Sequence, residues 1–238
     1  MSAPAGRDQN LLKTCGATSV ADIELLAAAG ADLVGLWHGV PGGPAELELD
    51  RLAELADAAR ATGVLQPVLV TFLSDVDRLR DVLARTRIDW VQLHAYQSPL
   101  VVKGLRAKGH SGLKVVKVLH VADGDCVERR LIPAYERAGT DIFLLDRVGH
   151  GGQVGSTGQQ LSESAVADLV PSLTLPFLLA GGINADNRGD YPWLASHPGY
   201  LGIDVDTAAR DHSGQFAESN VAAIALEWST ARAREVVG

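Results

Sequence analysis

Cysteine is scarce in this chain: Cys15 and Cys126 are the only two among 238 residues. Two thiols cannot build a disulfide framework, and their separation is unlike the paired spacing of a zinc site, so the expected setting is a reducing, cytoplasmic one with no metal. Long apolar runs are missing too. No window approaches the roughly 18 to 20 uninterrupted apolar residues of a membrane helix, and residues 1–10, small and polar with the single Arg7, lack the core of a secretory signal. They are read as a loose tail ahead of one domain spanning residues 11–238. An excess of basic charge is also absent. The 21 Lys and Arg residues face 29 Asp and Glu, a net charge of −8, which argues against nucleic acid or an anionic membrane as the partner.

What the chain does have is a repeating pattern. Eight short apolar runs (Leu11–Cys15, Leu33–Trp37, Pro67–Phe72, Trp90–His94, Leu113–Val121, Ile142–Asp146, Pro176–Ala180 and Leu201–Val205) alternate with helical candidates at Val20–Ala29, Leu47–Ala61, Asp75–Arg85, Pro99–Lys108, Asp125–Ala138, Ser162–Val170, Asn187–Ala195 and Phe216 to about Arg234. Ser19 with Asp22, Ser74 before Asp75, and Ser162 supply helix-start signals. Gly30, Gly63, Gly109 and Gly139 fall just past four helices, where a left-handed cap suits glycine. Eight βα units closing on themselves make a single (β/α)8 barrel, and the first turn lacks the glycine pattern of an open nucleotide-binding sheet.

Barrel chemistry sits at the C-terminal ends of the strands. Those ends carry Lys13 and Cys15, Trp37 and His38, Thr71, Gln92 and His94, Lys117 and His120, Asp146, Gly181 and Gly182, and Asp204 and Asp206. His94 is read as a satisfied histidine of the barrel rim rather than a catalytic one.

Lys13-Thr14-Cys15-Gly16, Val91-Gln92-Leu93-His94, Leu144-Leu145-Asp146, Gly155-Ser156-Thr157-Gly158, Leu179-Ala180-Gly181-Gly182 with Asn187, and Gly202-Ile203-Asp204-Val205 occur in that order from Lys13 to about Asp206. Together they resemble the signature of the phosphoribosylanthranilate isomerase family of tryptophan biosynthesis. The resemblance implies an Amadori rearrangement that turns an N-linked aminoaldose phosphate into an aminoketose phosphate, with Cys15 as general base, Asp146 as general acid and no cofactor. Lys13 or the positive field of the barrel mouth is expected to lower the thiol's pKa. Gly158, Gly181, Gly182 and Thr207 are expected around the phosphate, and Asp204 on the sugar hydroxyls. The implied partner is a phosphorylated small molecule, with monomer and homodimer both open.

Two stretches depart from the family pattern. The family's Ser-Pro-Arg after the second strand, whose arginine takes the anthranilate carboxylate, is replaced by Trp37-His38-Gly39-Val40-Pro41-Gly42-Gly43-Pro44-Ala45, and no arginine lies between Arg7 and Arg51. His38 is the available substitute. After the eighth strand, Asp206-Thr207-Ala208-Ala209-Arg210 puts a carboxylate beside the expected phosphate, to be neutralised by Arg210 or Lys117. A family member with another substrate, a non-catalytic metabolite-binding barrel, and a Schiff-base lyase using Lys13 or Lys117 stay open as alternatives.

Overall fold

The computed structural model describes residues 10–107, 112–122, 124–148 and 160–228. Eight strands run parallel, each beside the next: β1 (Leu11–Cys15), β2 (Leu33–Trp37), β3 (Gln66–Thr71), β4 (Trp90–Leu93), β5 (Lys114–Ala122), β6 (Ile142–Arg147), β7 (Phe177–Leu179) and β8 (Tyr200–Val205). β8 returns to β1, with Leu11 opposite Gly202 and Lys13 opposite Asp204. The sheet is thus a closed (β/α)8 barrel. Around it lie α1 (Val20–Ala28), α2 (Leu49–Ala61), α3 (Val76–Thr86), α4 (Pro99–Arg106), α5 (Ile132–Ala138), α6 (Glu163–Leu169) and α7 (Glu218–Trp228). Among the described residues no helix is long and apolar enough to cross a membrane.

Side chains on a strand alternate between its faces, and here the alternation separates two cores. Val34 and Leu36, Val91 and Leu93, Phe143 and Leu145, and Ile203 and Val205 pack outward against the helices. Val116, Val118, Ile142, Leu144 and Leu178 fill the barrel interior. The inward parity therefore carries Lys13 and Cys15 on β1, Gln92 and His94 at the end of β4, Asp146 on β6 and Asp204 on β8. Lys117 has the parity of Val115 and Leu119, which is the outward one.

Local chemistry accounts for most boundaries. Ser19 and Asp22 form a reciprocal capping box at the start of α1, and Ser162 accepts from the Ala165 amide at the start of α6. At α3 the cap is Asp75 rather than Ser74, its carboxylate accepting from the Asp77 and Arg78 amides. Gly30, Gly63 and Gly139 all have positive φ; Gly109 lies outside the described residues. Two expected helices come out differently. Over Asn187–Ala195 there are only 3-10 turns, Arg188–Asp190 and Leu194–Ser196, because Gly189 is a poor helix former and Pro192 has no N–H to donate. The helix expected from Asp125 begins at Ile132 instead. Asp125–Cys126 pairs antiparallel with the end of β5, and the Glu128 carboxylate binds both the amide and Nδ1 of His120, tying this segment to the strand. Of the last expected helix, Glu218–Trp228 is observed, and the stretch to Arg234 lies outside the described residues.

Gly202 sits at the closing seam with φ +144°, and a Cβ there would lie 2.0 Å from the Leu11 carbonyl oxygen. Gly202→Ala is therefore expected to destabilise the fold by at least about 3 kcal/mol, measured by denaturant unfolding. A loss under about 1 kcal/mol would show that the seam relaxes freely.

Candidate active site

A cavity of about 530 Å³ opens at the C-terminal ends of the strands. Cys15, His94, Asp146 and Asp204 line its centre. Trp37, Val40, Val70 and Phe72 line one end, and Gly181, Gly182, Thr207 and Ala208 the other. Six of the residues expected from sequence (Cys15, Asp146, Gly181, Gly182, Asp204 and Thr207) thus face one space. Lys13 lies beneath it. His38 does not line it: its Nδ1 donates to the Leu47 carbonyl at 2.8 Å, so the proposed stand-in for the arginine points into its own loop. Gly158 lies outside the described residues.

Under the cavity, Lys13 Nζ donates to both oxygens of Asp204, each at 2.8 Å, with the lysine 1% exposed. Burial disfavours the ammonium, but Asp204 and Cys15 together more than offset it and hold the Lys13 pKa above its ordinary 10.5. Lys13 is thus shared between the carboxylate and the sulfur. Burial pushes the Cys15 thiol up to about 12, the attraction of Lys13 being smaller and opposed by Asp204 and Asp206. The expected low thiol pKa is therefore corrected: in this arrangement Cys15 rests as a thiol. Two features favour the sulfur's anionic form all the same. Trp37 Nε1 donates to Cys15 Sγ at 3.0 Å, and Gly35, the Cys15 partner across β1 and β2, leaves room for both sulfur and ammonium. A Cβ on Gly35 would stand 2.7 Å from Cys15 Sγ and 3.1 Å from Lys13 Nζ.

Asp146 Oδ1 accepts from the Arg147 amide at 2.8 Å, while Oδ2 lies 3.5 Å from His94 Nε2. The Gln92 side-chain amide meets His94 Nδ1 at 2.8 Å; with Nδ1 as acceptor, the ring's N–H is on Nε2, toward Asp146. Nε2 has no hydrogen-bond partner among the described residues, so the rim-histidine reading of His94 is corrected to a buried imidazole facing the cavity. Asp206 is paired with Arg210 Nε at 2.6 Å, which answers the question of its charge. Lys117 takes no part. Its ammonium donates to the Ala95 and Val118 carbonyls and lies 3.6 Å from Glu128, and burial lowers its pKa to about 8 despite Glu128. With Lys13 held by Asp204 and Lys117 outward, neither lysine presents an amine for a Schiff base.

At the glycine end, Gly181 and Gly182 both adopt positive φ, 79° and 68°, a conformation glycine tolerates. The backbone turns there beside the first turn of Thr207–Ala209, so amides from two strand ends border the same part of the cavity. Such convergent N–H groups suit an oxyanion. Trp37 and His94 are the residues that sequence reasoning left out of the site. The signal for both was strand parity: Trp37 shares the face of Gly35, and His94 that of Gln92.

A family model described as N-(5'phosphoribosyl)anthranilate (PRA) isomerase matches residues 12–218. A Haloferax volcanii protein named N-(5'-phosphoribosyl)anthranilate isomerase is 34% identical over 177 residues, 74% of this chain and 75% of its own. A protein of the same name from Halorubrum lacusprofundi is 32% identical over 208 residues, covering 85% of this chain and 91% of its own. The crystal structure of phosphoribosyl anthranilate isomerase from Thermus thermophilus matches with a TM-score of 0.72 at 18% identity, over 91% of this chain and 97% of that one, a likeness of fold.

Two outcomes follow from the thiol's surroundings. Alkylation of Cys15 by iodoacetamide, followed by mass spectrometry of its peptide, should rise about tenfold per pH unit from pH 7 past pH 10, and Trp37→Phe should slow it at every pH by removing the donor to sulfur. A plateau near pH 8 would contradict this. Because the native thiol keeps its proton up to about 12 while an ordinary thiol loses it near 9.0, its contribution to stability is whole below pH 9 and declines as pH rises toward 12.

Proposed function

This chain belongs to the N-(5'-phosphoribosyl)anthranilate isomerase family, and we propose that it carries out an aldose-to-ketose rearrangement of an N-linked ribosyl phosphate with Cys15 as base and Asp146 as acid. The observation that supports the residue roles is that β1 and β6 deliver these two side chains to one cavity, with a bank of backbone amides at its far end. Asp146 gives its proton to the furanose oxygen as the C1–O bond breaks, and the nitrogen lone pair forms the C1=N iminium. With the iminium's positive charge beside the sulfur, the Cys15 thiol releases its resting proton to solvent water; the thiolate then takes the C2 proton, and the electrons of that bond become C1=C2 while the nitrogen returns to neutrality. In the last step the enol proton goes to Asp146 and the Cys15 proton to C1, so the ketose forms, and Cys15 regains its resting proton from solvent, so that both groups end as they began.

A thiol held at about 12 is a weak base by itself. The iminium places a positive charge beside the sulfur at the step that needs the thiolate, and an adjacent opposite charge favours the ionised form. Trp37 supports the same form and keeps the sulfur oriented. Asp204, fixed by Lys13, presents carboxylate lone pairs to the sugar hydroxyls. Gly181, Gly182 and Thr207 hold the phosphate through their amides, with Gly158 added by resemblance. The sequence of proton transfers uses no cofactor.

The test is turnover of freshly prepared N-aryl ribosylamine 5-phosphates, followed by aminoketose formation. Cys15→Ala and Asp146→Asn should each lower kcat/KM by at least about 100-fold with unchanged circular dichroism. Activity that survives both substitutions would remove these two residues from the chemistry.

A further inference from the structure

We infer that Arg210 is a positioning residue of this site, fixing the strand end that carries Cys15 to the turn at Thr207 and Ala208 and matching the charge of Asp206 between them; the inference rests on the isomerase reading above. The two strand ends are neighbours at the seam where β8 returns to β1, but the paired register there ends at Thr14 and Val205. Cys15 and Asp206 each lie one residue beyond it. The Arg210 side chain spans that interval. Its Nη2 donates to the Cys15 carbonyl at 3.2 Å and to the Gly16 carbonyl at 3.0 Å, its Nε to Asp206 Oδ1 at 2.6 Å, and its Nη1 to the Gly214 carbonyl at 3.0 Å. The guanidinium lies 4.0 Å above the ring of buried Phe216. Gly16 makes room for it, with φ +89° and a position where a Cβ would stand 2.8 Å from Nη2. A rigid planar fork can serve four oxygens on three segments at once, whereas the single ammonium of a lysine cannot.

Both of the segments it joins face the cavity, through Cys15 on one and Asp206, Thr207 and Ala208 on the other. The 3-10 turn Thr207–Ala209 springs from Asp206, whose carbonyl accepts from the Ala209 amide. A substrate anchored by its phosphate at that turn and losing a proton to Cys15 reacts at a rate set by the interval between anchor and base. Proton transfer needs its heavy atoms within hydrogen-bond reach, and a misplacement of about 1 Å costs on the order of 100-fold. Arg210 sets the interval through two backbone carbonyls and one carboxylate, without touching the substrate. Its charge has a separate effect. The Asp206 carboxylate stands beside the turn, where unmatched it would repel a phosphate and disfavour the thiolate of Cys15; the guanidinium offsets it.

Position and charge separate in three variants, read by turnover of N-(5'-phosphoribosyl)anthranilate and by calorimetric binding of its reduced aminoketose phosphate, which cannot react. Arg210→Lys keeps a charge opposite Asp206 but loses the fork, so kcat should fall at least about tenfold while the analogue's Kd stays within about threefold of wild type. Arg210→Gln should lose kcat alike and also bind the analogue at least about tenfold more weakly, since Asp206 is left unmatched. Adding Asp206→Asn to Arg210→Gln should restore the Kd and leave kcat low. A kcat within about twofold of wild type in both Arg210→Lys and the double variant would overturn the inference and leave the isomerase reading intact. So would a joint loss of kcat and affinity in all three with a lowered unfolding midpoint, the mark of a residue that only supports the fold. Wild-type protein that binds the analogue without turning the substrate over would overturn the isomerase reading. The inference is then decided by the order of Kd values and by Cys15 alkylation at about pH 8, expected at least about threefold slower in Arg210→Gln and restored in the double variant. Failure of the wild type to bind the analogue would overturn both.

Discussion

The buried ion pair between Lys13 and Asp204 is the constraint around which the rest of the site is arranged. The two residues are register partners across β1 and β8, so the pair bridges the seam where the barrel closes. A buried pair of this kind is a weak source of net stability, yet removing one partner strands the other's charge at a cost of about 3–5 kcal/mol. It therefore acts as a registration device. A slip of one residue along either strand would turn one of the charges into the apolar layer under the helices.

Matching those charges internally also decides the chemistry above them. Lys13 lies beside Cys15 and pulls its pKa down, but burial of the thiol outweighs that pull and Asp204 and Asp206 oppose it. Arg210 and Asp206 repeat the arrangement at the end of β8. The mouth is thus rich in charged residues and poor in unmatched positive charge. Its remaining attraction for an anion comes from backbone amides at the glycine end, where a helical turn and two left-handed glycines converge. At the other end Glu46 has closed the loop after β2 on itself, accepting from the Gly39 and Val40 amides. One cavity therefore treats its two ends differently, with fixed dipoles on one side and apolar wall on the other.

Much of this was legible before any coordinates. All eight strands lie within a residue or so of the apolar runs, because a strand buried on both faces in a parallel barrel reads as continuous hydrophobicity. The capping box at Ser19 and the glycines past α1, α2 and α5 are local devices, and they appear where the local chemistry put them. The misreadings have non-local or competing causes. Asp125 to Leu131 looks helical until Glu128 is seen reaching across to His120, and the Asn187–Ala195 stretch yields to Pro192. Asp75 took the cap from Ser74 because its carboxylate accepts from the Asp77 and Arg78 amides and so starts the helix one residue later.

The linear chain determined the barrel, the strand ends that carry its polar residues, and the appearance of Cys15 and Asp146 among them, since hydrophobic periodicity and motif order are properties of sequence alone. Which side chains share the cavity was decided by the closed sheet. Strand parity turned Trp37 and His94 inward, kept Lys117 outside and left His38 bound to its own loop. The pKa of Cys15 was decided there as well, because it depends on how deeply the barrel buries the sulfur and on which carboxylate reaches Lys13 first, and neither quantity exists until β8 closes against β1.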